Sequence, residues 1–288
     1  MNRNFLPFLL VLILATMACG FSVNIPSAPT PGPEVTDEIA VAVPEAATSE
    51  DEVSAETRLK ISFGAGELSL SPGAGDMLVE GTATYDVPNF KPEIKVEGNI
   101  VEIKQGEFKS LNVGDFKNEW DLELGETPME LEINAGAYQG RYDFSGLALT
   151  NLTIKDGASD VDVSFSAPNL TEMSVFRYET GASNVELTGL ANANFSTLIF
   201  NGGAGDYTLD FSGESKQDAT ARIETGLGNL MLVIPEDVDA RVTVEGGAIN
   251  VNHSSGWGQS NRTYTQDGSG PTLTIIVKMG AGNVTITD

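Results

Sequence analysis

The sequence predicts an all-β protein, a β-solenoid of stacked strands with repeats of about 22 residues. A short phrase that alternates apolar and polar residues around one glycine occurs eight times. After the second copy, the intervals between the central glycines are 21, 24, 22, 23, 21 and 33 residues. Such regular spacing indicates stacked units. The central glycines are Gly64, Gly136, Gly157, Gly181, Gly203, Gly226, Gly247 and Gly280.

Apolar residues flank each glycine at fixed positions. They stand five and three residues before it in every copy, and six residues after it in all copies but the seventh. Alternation on both sides predicts two strands joined by a tight turn. Glycine at that turn permits a positive φ or a close approach of backbone. The residues three before the glycine are Ile61, Ile133, Ile154, Tyr178, Phe200, Ile223, Val244 and Val277.

An acid or an amide stands three residues after every glycine. Asn and Asp side chains bond to nearby backbone groups in turns, so stacked copies are expected to form a hydrogen-bonded ladder. Calcium binding is the alternative, because residues 202–210 resemble the calcium-binding nonapeptide of β-roll toxins. The longer repeat and the many asparagines favour the ladder. The residues are Glu67, Gln139, Asp160, Asn184, Asp206, Asn229, Asn250 and Asn283.

Segment 58–128 precedes the regular repeats of 129–288 and has less regular spacing. Strand-like runs alternate there with turn signals such as the Ser-Pro-Gly triplet at 71–73. We interpret this segment as the opening section of the same β structure. The runs are residues 59–70, 76–85, 93–96, 99–103 and 119–124.

Several stretches of this opening section, at residues 61–73, 78–85 and 101–105, resemble the N-terminal toast-rack domain of bacterial envelope proteins. Later copies, such as residues 224–235, resemble adhesin-like domains and the C-terminal domain of LiaF-like envelope stress proteins. The resemblance covers about residues 58–288. It implies a stack that is toast-rack-like or β-helix-like, on an extracytoplasmic surface. These families supply no catalytic residues to carry over.

Composition excludes several kinds of partner and site. The 288 residues include 16 basic and 41 acidic side chains, which give a formal charge of -25. Nucleic acid needs a positive surface, so no nucleic-acid partner is expected. One cysteine and one histidine allow neither an internal disulfide nor a zinc site of the usual kinds. We expect no metal and no cofactor.

The first 19 residues have the pattern of a signal peptide. Arg3 supplies a positive start, and the apolar run of residues 5–18 is too short for a spanning helix. The Ala-Cys pair that ends at Cys19 resembles the cleavage point of bacterial lipoproteins, which implies a lipid on that cysteine. Thr16 and Met17 depart from the usual motif. Cleavage by an ordinary signal peptidase, with simple secretion, is the alternative.

Residues 20–57 predict a disordered tether. They contain five prolines and eight acidic residues but no Lys or Arg. Low hydrophobicity, like charge and proline are typical of extended spacers. The tether is expected to hold the folded part away from the membrane, and the alternative is a loop that packs back on the folded domain.

Three groups of residues invite a catalytic interpretation. His253 occupies a core-facing position and is followed by two serines, but no nucleophile elbow accompanies it. The pairs Asp160/Asp162 and Asp237/Asp239 would suit a glycosidase. Among 41 acidic residues, however, such pairs arise by chance. We therefore expect a protein that is not an enzyme.

Segment 252–271 lengthens the last interval to 33 residues and carries Trp257 and Tyr264 among Gly, Ser and Asn. Exposed aromatic rings on an adaptable loop bind sugar rings or proteins. The sequence thus predicts a ligand or partner loop. The alternative is a cap, in which Trp257 covers the open end of the stack.

Together these observations predict a lipoprotein that is secreted across the cytoplasmic membrane and anchored on the cell envelope through Cys19. Its expected role is that of a structural or adhesin-like module that binds a surface glycan or an envelope protein. The alternative is a cell-envelope stress regulator that acts through a membrane sensor protein.

Overall fold

The computed structural model describes residues 31–45, 56–106 and 116–288. These residues form one 16-stranded sheet with a single 3₁₀ turn at Pro88–Phe90 and no α-helix, and none of them belongs to a helix able to cross a membrane. The all-β, stacked-strand prediction is confirmed. The strands are β1 (Val35–Ala42), β2 (Thr57–Pro72), β3 (Met77–Tyr85), β4 (Pro92–Glu97), β5 (Ile100–Gln105), β6 (Asn118–Leu124), β7 (Met129–Asp143), β8 (Leu149–Lys155), β9 (Ala158–Ser164), β10 (Met173–Thr188), β11 (Phe195–Asp210), β12 (Ala219–Val233), β13 (Asp239–His253), β14 (Gly258–Ser260), β15 (Thr263–Gln266) and β16 (Thr272–Thr287).

Each copy of the repeat forms one coil of the stack, with a first arm before the glycine and a second arm after it. In β11 a single strand runs through Gly203, and both arms pair in parallel with β10 and β12. Only the third copy is divided, into β8 and β9, at Asp156 and Gly157. The predicted tight turn between two strands is therefore wrong for the other copies. Because the same ladders continue on both sides of the glycine, the corner is a bend within one strand.

The predicted apolar columns form the core. All residues five and three before the glycine are fully buried. Register places them in line, so that Leu198 lies beside Phe176 in one neighbouring coil and Ala221 in the other. Six residues after the glycine, the exception is His253, which is exposed on the outermost coil. Each buried aliphatic or aromatic side chain contributes about 1.5–3 kcal/mol, and most of that burial is supplied by neighbouring coils.

The eight glycines lie in a file, as the repeat predicts. A Cβ atom on Gly203 would lie 2.3 Å from the carbonyl oxygen of Gly181, which is much closer than atoms can approach. None of the eight has a positive φ, so close approach of backbones is the constraint. A positive φ occurs instead two residues later in three copies, for example 140° at Gly228.

The predicted ladder is confirmed in four adjacent coils. Asn229 Nδ2 donates to Asp206 Oδ1 at 2.7 Å, and Asn283 Nδ2 donates to Asn229 Oδ1 at 2.8 Å. Asn250 Nδ2 donates to Asn283 Oδ1 at 3.2 Å. All four side chains are exposed on the outside of the stack.

The opening section belongs to the same sheet, as interpreted. β2 pairs in parallel with β7 over residues 57–70, across the predicted boundary at 128. On the other side of β2, β5 pairs with the first arm and β6 with the second arm. Antiparallel strands finish this end of the stack. β4 lies next to β5, and β3 followed by β1 lies next to β6.

Part of the predicted tether is structured. Residues 35–42 form β1, which pairs antiparallel with β3. Ile39 and Val41 point into the core, with 2% and 8% of their surface exposed. The prediction of disorder for 20–57 is wrong here, because two apolar side chains at alternate positions are enough to seat an edge strand. Much of the remaining tether lies outside the described residues.

At the other end, the stack departs from chain order. β16 is the last strand in the sequence, yet it lies between β12 and β13 and pairs in parallel with both. β13 is therefore the outermost coil. A hairpin of β14 and β15 pairs antiparallel with its first arm only. The connection from β12 to β13, residues 234–238, consequently has to span the coil of β16.

Candidate functional site

The structure places both aromatic residues of the predicted binding loop in the core. Trp257 is 7% exposed and Tyr264 is 4% exposed. The Tyr264 ring lies 5.3 Å from the ring of His253, at the end of the stack. These positions fit the alternative interpretation, a cap. Ligand binding by the exposed residues of 252–271 stays a prediction, and Cys19 lies outside the described residues.

Replacing Trp257 with alanine is expected to lower the free energy of unfolding by about 3–5 kcal/mol, the usual cost of removing a large aromatic core side chain. The indole nitrogen has no hydrogen-bond partner among the described residues, so packing accounts for the loss. Chemical denaturation of the purified protein measures the effect. Trp257→Phe is the control and should retain most of the stability. An unchanged midpoint for the alanine variant would show that the ring is not a cap.

A polar cluster surrounds Asp156, at the corner of the divided coil. Tyr178 Oη donates to Asp156 Oδ2 at 2.8 Å, and Tyr138 Oη donates to the same oxygen at 3.4 Å. Tyr142 Oη donates to Tyr138 Oη at 3.1 Å, and the Thr180 hydroxyl also bonds to the carboxylate. Burial raises the pKa of all three tyrosines, and the negative charge of Asp156 raises each pKa further. The hydroxyls satisfy this carboxylate beside the core, which is a structural role.

We expect the stability of the protein to fall above about pH 10. The pKa of a tyrosine is near 10 in the unfolded chain and higher in this cluster, so the folded state keeps protons that the unfolded state loses. The stabilisation is complete below pH 10 and is lost as the pH rises toward the raised values. Urea midpoints across this range measure it. Tyr178→Phe should weaken the dependence, and ionisation of the cluster near pH 10 in the intact fold would contradict the prediction.

The other candidate groups are not gathered into a site. Asp160 and Asp162 are exposed on β9, and the nearest cation to Asp162 is Arg141 Nε at 3.4 Å. Asp239 Oδ2 accepts a hydrogen bond from the Thr272 hydroxyl at 2.7 Å. Within the described ranges, no three His, Cys, Asp or Glu side chains are placed to hold a metal ion.

A pocket of about 410 Å³ opens among the loops that join the last coils, and we call it the loop-face pocket. Residues that follow β10, β11 and β12 line it, together with residues that precede β16. Its apolar floor consists of Leu190, Phe195, Phe211, Val238 and Leu273. Its charged rim consists of Glu214, Lys216 and Asp237.

Hydrogen bonds between coils hold the wall of the loop-face pocket. Asn192 Oδ1 accepts from the Glu214 backbone N–H at 2.9 Å, while Asn192 Nδ2 donates to the Phe165 carbonyl at 2.8 Å. Gln217 Nε2 donates to the Asn194 carbonyl at 3.0 Å. Because these bonds attach each loop to the preceding coil, the pocket is preformed in the ligand-free protein.

The three rim charges have no ion-pair partner in the described part of the chain. Glu214 and Lys216 are exposed on the loop that follows β11, and Asp237 is exposed on the connection that spans β16. Their charges are thus available to a ligand that reaches the apolar floor. An apolar cavity with a few convergent polar groups is the usual form of a small-ligand site.

The loop-face pocket involves only the end of the segment that the sequence singles out. Residues 269–271, at the end of segment 252–271, line the loop-face pocket, whereas Trp257 and Tyr264 cap the stack. The pocket forms where the order of the coils in the stack differs from their order in the sequence. The only sequence signal of that departure is the last interval of 33 residues.

A comparison with solved structures gives matches over most of the chain, of which three are described here. A candidate cell adhesion protein from Clostridium sporogenes ATCC 15579 is 22% identical, with a TM-score of 0.49 over 88% of this chain and 99% of that chain. A candidate adhesin from Bacteroides fragilis NCTC 9343 is 11% identical, with a TM-score of 0.34 over 88% and 97%. A candidate lipid-binding protein from Parabacteroides distasonis ATCC 8503 is 12% identical, with a TM-score of 0.36 over 88% and 97%.

The sequence has no significant match among curated proteins. A family model described as the N-terminal domain of toast_rack, DUF2154, matches residues 31–188 and 171–233. These matches together span residues 31–233, from β1 to the end of β12, which is well over half of the 288 residues. The chain therefore belongs to the family of the toast_rack N-terminal domain.

Proposed function

We propose that this protein is a non-enzymatic binding module of the cell surface, adhesin-like in its role, and that the loop-face pocket holds its ligand. The observation that carries the proposal is the pocket itself. It combines a volume of about 410 Å³, an apolar floor and rim charges that have no ion-pair partner among the described residues. Ordinary ligand sites have volumes of about 300–1,000 Å³ and the same kind of lining.

The lining indicates the chemistry of the ligand. Phe195, Phe211 and Leu273 offer a surface for one apolar ring or chain. Two acids and one lysine at the rim leave a net negative charge, in a protein whose formal charge is -25. Cations are attracted to such a rim and anions are repelled. The pocket thus suits an apolar group that carries a positive charge, such as a basic side chain of a partner protein or an amine attached to a ring.

A series of three small probes tests this assignment by protein-observed NMR titration. The cation 2-phenylethylamine should bind, the neutral 2-phenylethanol should bind more weakly, and the anion 3-phenylpropionate should bind least. Glu214→Gln and Asp237→Asn should each weaken the amine about 2–5-fold, the usual strength of an exposed charge pair. Asp162→Asn, an exposed carboxylate far along the chain, is the matched control.

The possible outcomes of the titration separate two claims. Absence of binding by all three probes would overturn the pocket as a ligand site. Equal binding of the amine and the alcohol would overturn the preference for a cation and leave the apolar floor as the site. Hydrolysis of any member of a glycan panel by the purified protein, lost on substitution of a carboxylate, would overturn the proposal that it is not an enzyme.

We propose further that a lipid on Cys19 anchors the module after secretion across the cytoplasmic membrane. Support comes from the position of this single cysteine at the end of an apolar leader and ahead of an acidic, proline-rich segment. Mass spectrometry of the mature N-terminus tests the anchor directly. An N-terminal peptide that begins at Cys19 and carries acyl chains is expected, and an unmodified peptide would overturn the anchor.

The regulator predicted as the alternative differs in its partner. Crosslinking in intact cells with a photoreactive group placed at Lys216 is expected to capture glycan-bearing or surface proteins. Capture of a membrane sensor protein instead would favour the regulator. A rim variant such as Asp237→Asn should reduce capture of either partner if the loop-face pocket is the contact.

A further inference from the structure

Among the four sheet edges in the described part of the chain, one lacks protection, and we call it the terminal edge. It is the second arm of β13, Ala248–His253, which pairs with β16 on one side. No described strand pairs with its other side, because the hairpin of β14 and β15 covers the first arm only. An unpaired row of backbone N–H and C=O groups recruits another strand unless something prevents it.

The other three edges carry the usual protection. β4 begins with Pro92 and has charged residues at alternate positions, and β1 carries two adjacent acids. β14 is only three residues long. Proline, charge and shortness are the devices that keep sheet edges from pairing with other chains. The terminal edge has none of them, since no Asp, Glu, Lys or Arg occurs from Gly246 to Asn261.

Side chains at the terminal edge also lack the hydrogen-bonding and packing partners that internal coils provide. Asn250 is the last member of the amide ladder, and its Oδ1 accepts no hydrogen bond from the described residues. Ile249 and Val251 are only partly buried, whereas the matching residue in the adjacent coil, Val284, is 0% exposed. Both the ladder and the core therefore stop without the neighbour that every internal coil possesses.

The terminal edge is complementary to itself. Residues 249–253 read Ile-Asn-Val-Asn-His, so core-facing and outward-facing side chains alternate symmetrically about Val251. Two antiparallel copies centred on Val251 would place Ile249 opposite His253 and Asn250 opposite Asn252. Each core-facing residue then meets a core-facing residue. The backbone polarity also fits. The Ser254 N–H donates to Ile286, so by alternation the N–H and C=O of Val251 point away from β16.

We propose that two copies of this protein associate through their terminal edges, as a two-fold symmetric, antiparallel dimer. Charge selects a second copy for this surface. Two chains of formal charge -25 repel each other over most of their surface, whereas residues 248–253 of the terminal edge include no Asp, Glu, Lys or Arg, so two copies can meet there with less repulsion. Because the opposite end of the stack is protected, growth stops at the dimer.

Cysteine crosslinking tests both the dimer and its register, in the full chain with Cys19→Ala. In the proposed pairing the two copies of Val251 are a hydrogen-bonded pair with Cα atoms about 5.5 Å apart, within disulfide range. Val251→Cys should crosslink nearly completely on mild oxidation. Ile249→Cys is the matched control, because its two copies would lie about 13 Å apart, and it should not crosslink.

Analytical ultracentrifugation supplies the second test. The protein should sediment as a dimer, and Val251→Pro should weaken dimerisation at least ten-fold, because proline removes an N–H that points away from β16. Val251→Ala keeps that N–H and should remain dimeric. Circular dichroism melts establish that each variant is folded. A monomeric parent protein, a dimeric Val251→Pro variant, or equal crosslinking at both cysteine positions would overturn the proposal.

Discussion

Replacing Gly203 with alanine should destabilise the protein by more than about 4 kcal/mol, the range reserved for severe steric or packing defects. The new Cβ would lie 2.3 Å from the carbonyl oxygen of Gly181 in the next coil. That oxygen belongs to backbone held by ladders on both arms, so it cannot move without separating the coils. Thermal and chemical denaturation measure the loss, which is expected to leave little folded protein at growth temperature.

Gly247 provides a matched control at the same position of the repeat. Its Cβ would lie 3.6 Å from the carbonyl oxygen of Gly280 in the preceding coil of the stack, which is an ordinary contact. Neither glycine has a positive φ, so the two substitutions differ only in the approach of the neighbouring coil. Gly247→Ala should change stability by less than about 1 kcal/mol. Equal effects at both glycines would show that the close approach of neighbouring coils does not explain why glycine occurs at this position of every copy.

Removing the ring of Phe200 is also expected to have a large effect, comparable to that of removing the ring of Trp257. The residue is fully buried in the middle of the stack, with its ring centroid 5.5 Å from that of Tyr178 and 5.0 Å from that of Tyr207. Phe200→Ala removes both aromatic contacts and leaves a cavity between coils that cannot collapse. The expected loss is about 3–5 kcal/mol, measured by urea denaturation.

A graded series separates packing from aromatic contact at this site. Phe200→Leu keeps most of the volume and loses the two ring contacts, which are worth about 0.5–1.5 kcal/mol each beyond their area. It should therefore fall between the parent protein and Phe200→Ala. A loss below about 1 kcal/mol for the alanine variant would mean that the coils adjust to fill the space, contrary to a rigid stack.

Local pattern explains why the core could be predicted from the sequence. Every residue three or five before a repeat glycine is buried, and the ladder residues Asp206, Asn229, Asn250 and Asn283 do stack. Periodicity within one coil is enough to assign these positions, because each coil buries the same faces. The bend at the glycine was missed because alternation describes a turn between strands and a bend within a strand equally well.

The order of the coils could not be predicted in the same way. β13 and β16 carry the same apolar spacing before the glycine, the same Gly-Ala pair and the same asparagine, at Asn250 and Asn283. Either strand could pair with the edge of β12. Contacts between residues far apart in the sequence therefore determine which strand lies there, and the local pattern does not. The loop-face pocket depends on that decision. Strand β1 escaped prediction for a different reason, since it offers only Ile39 and Val41 to the core within an acidic segment.

The position of β16 has a consequence for newly made chains. Residues enter the extracytoplasmic space in sequence order if the protein is exported as proposed, so β13 emerges while its final neighbour is still being synthesised or translocated. During that interval β13 can dock on the edge of β12, which later belongs to β16. If it does so, the last coil has to displace it, and maturation then ends with an exchange of partners instead of simple growth at a tip.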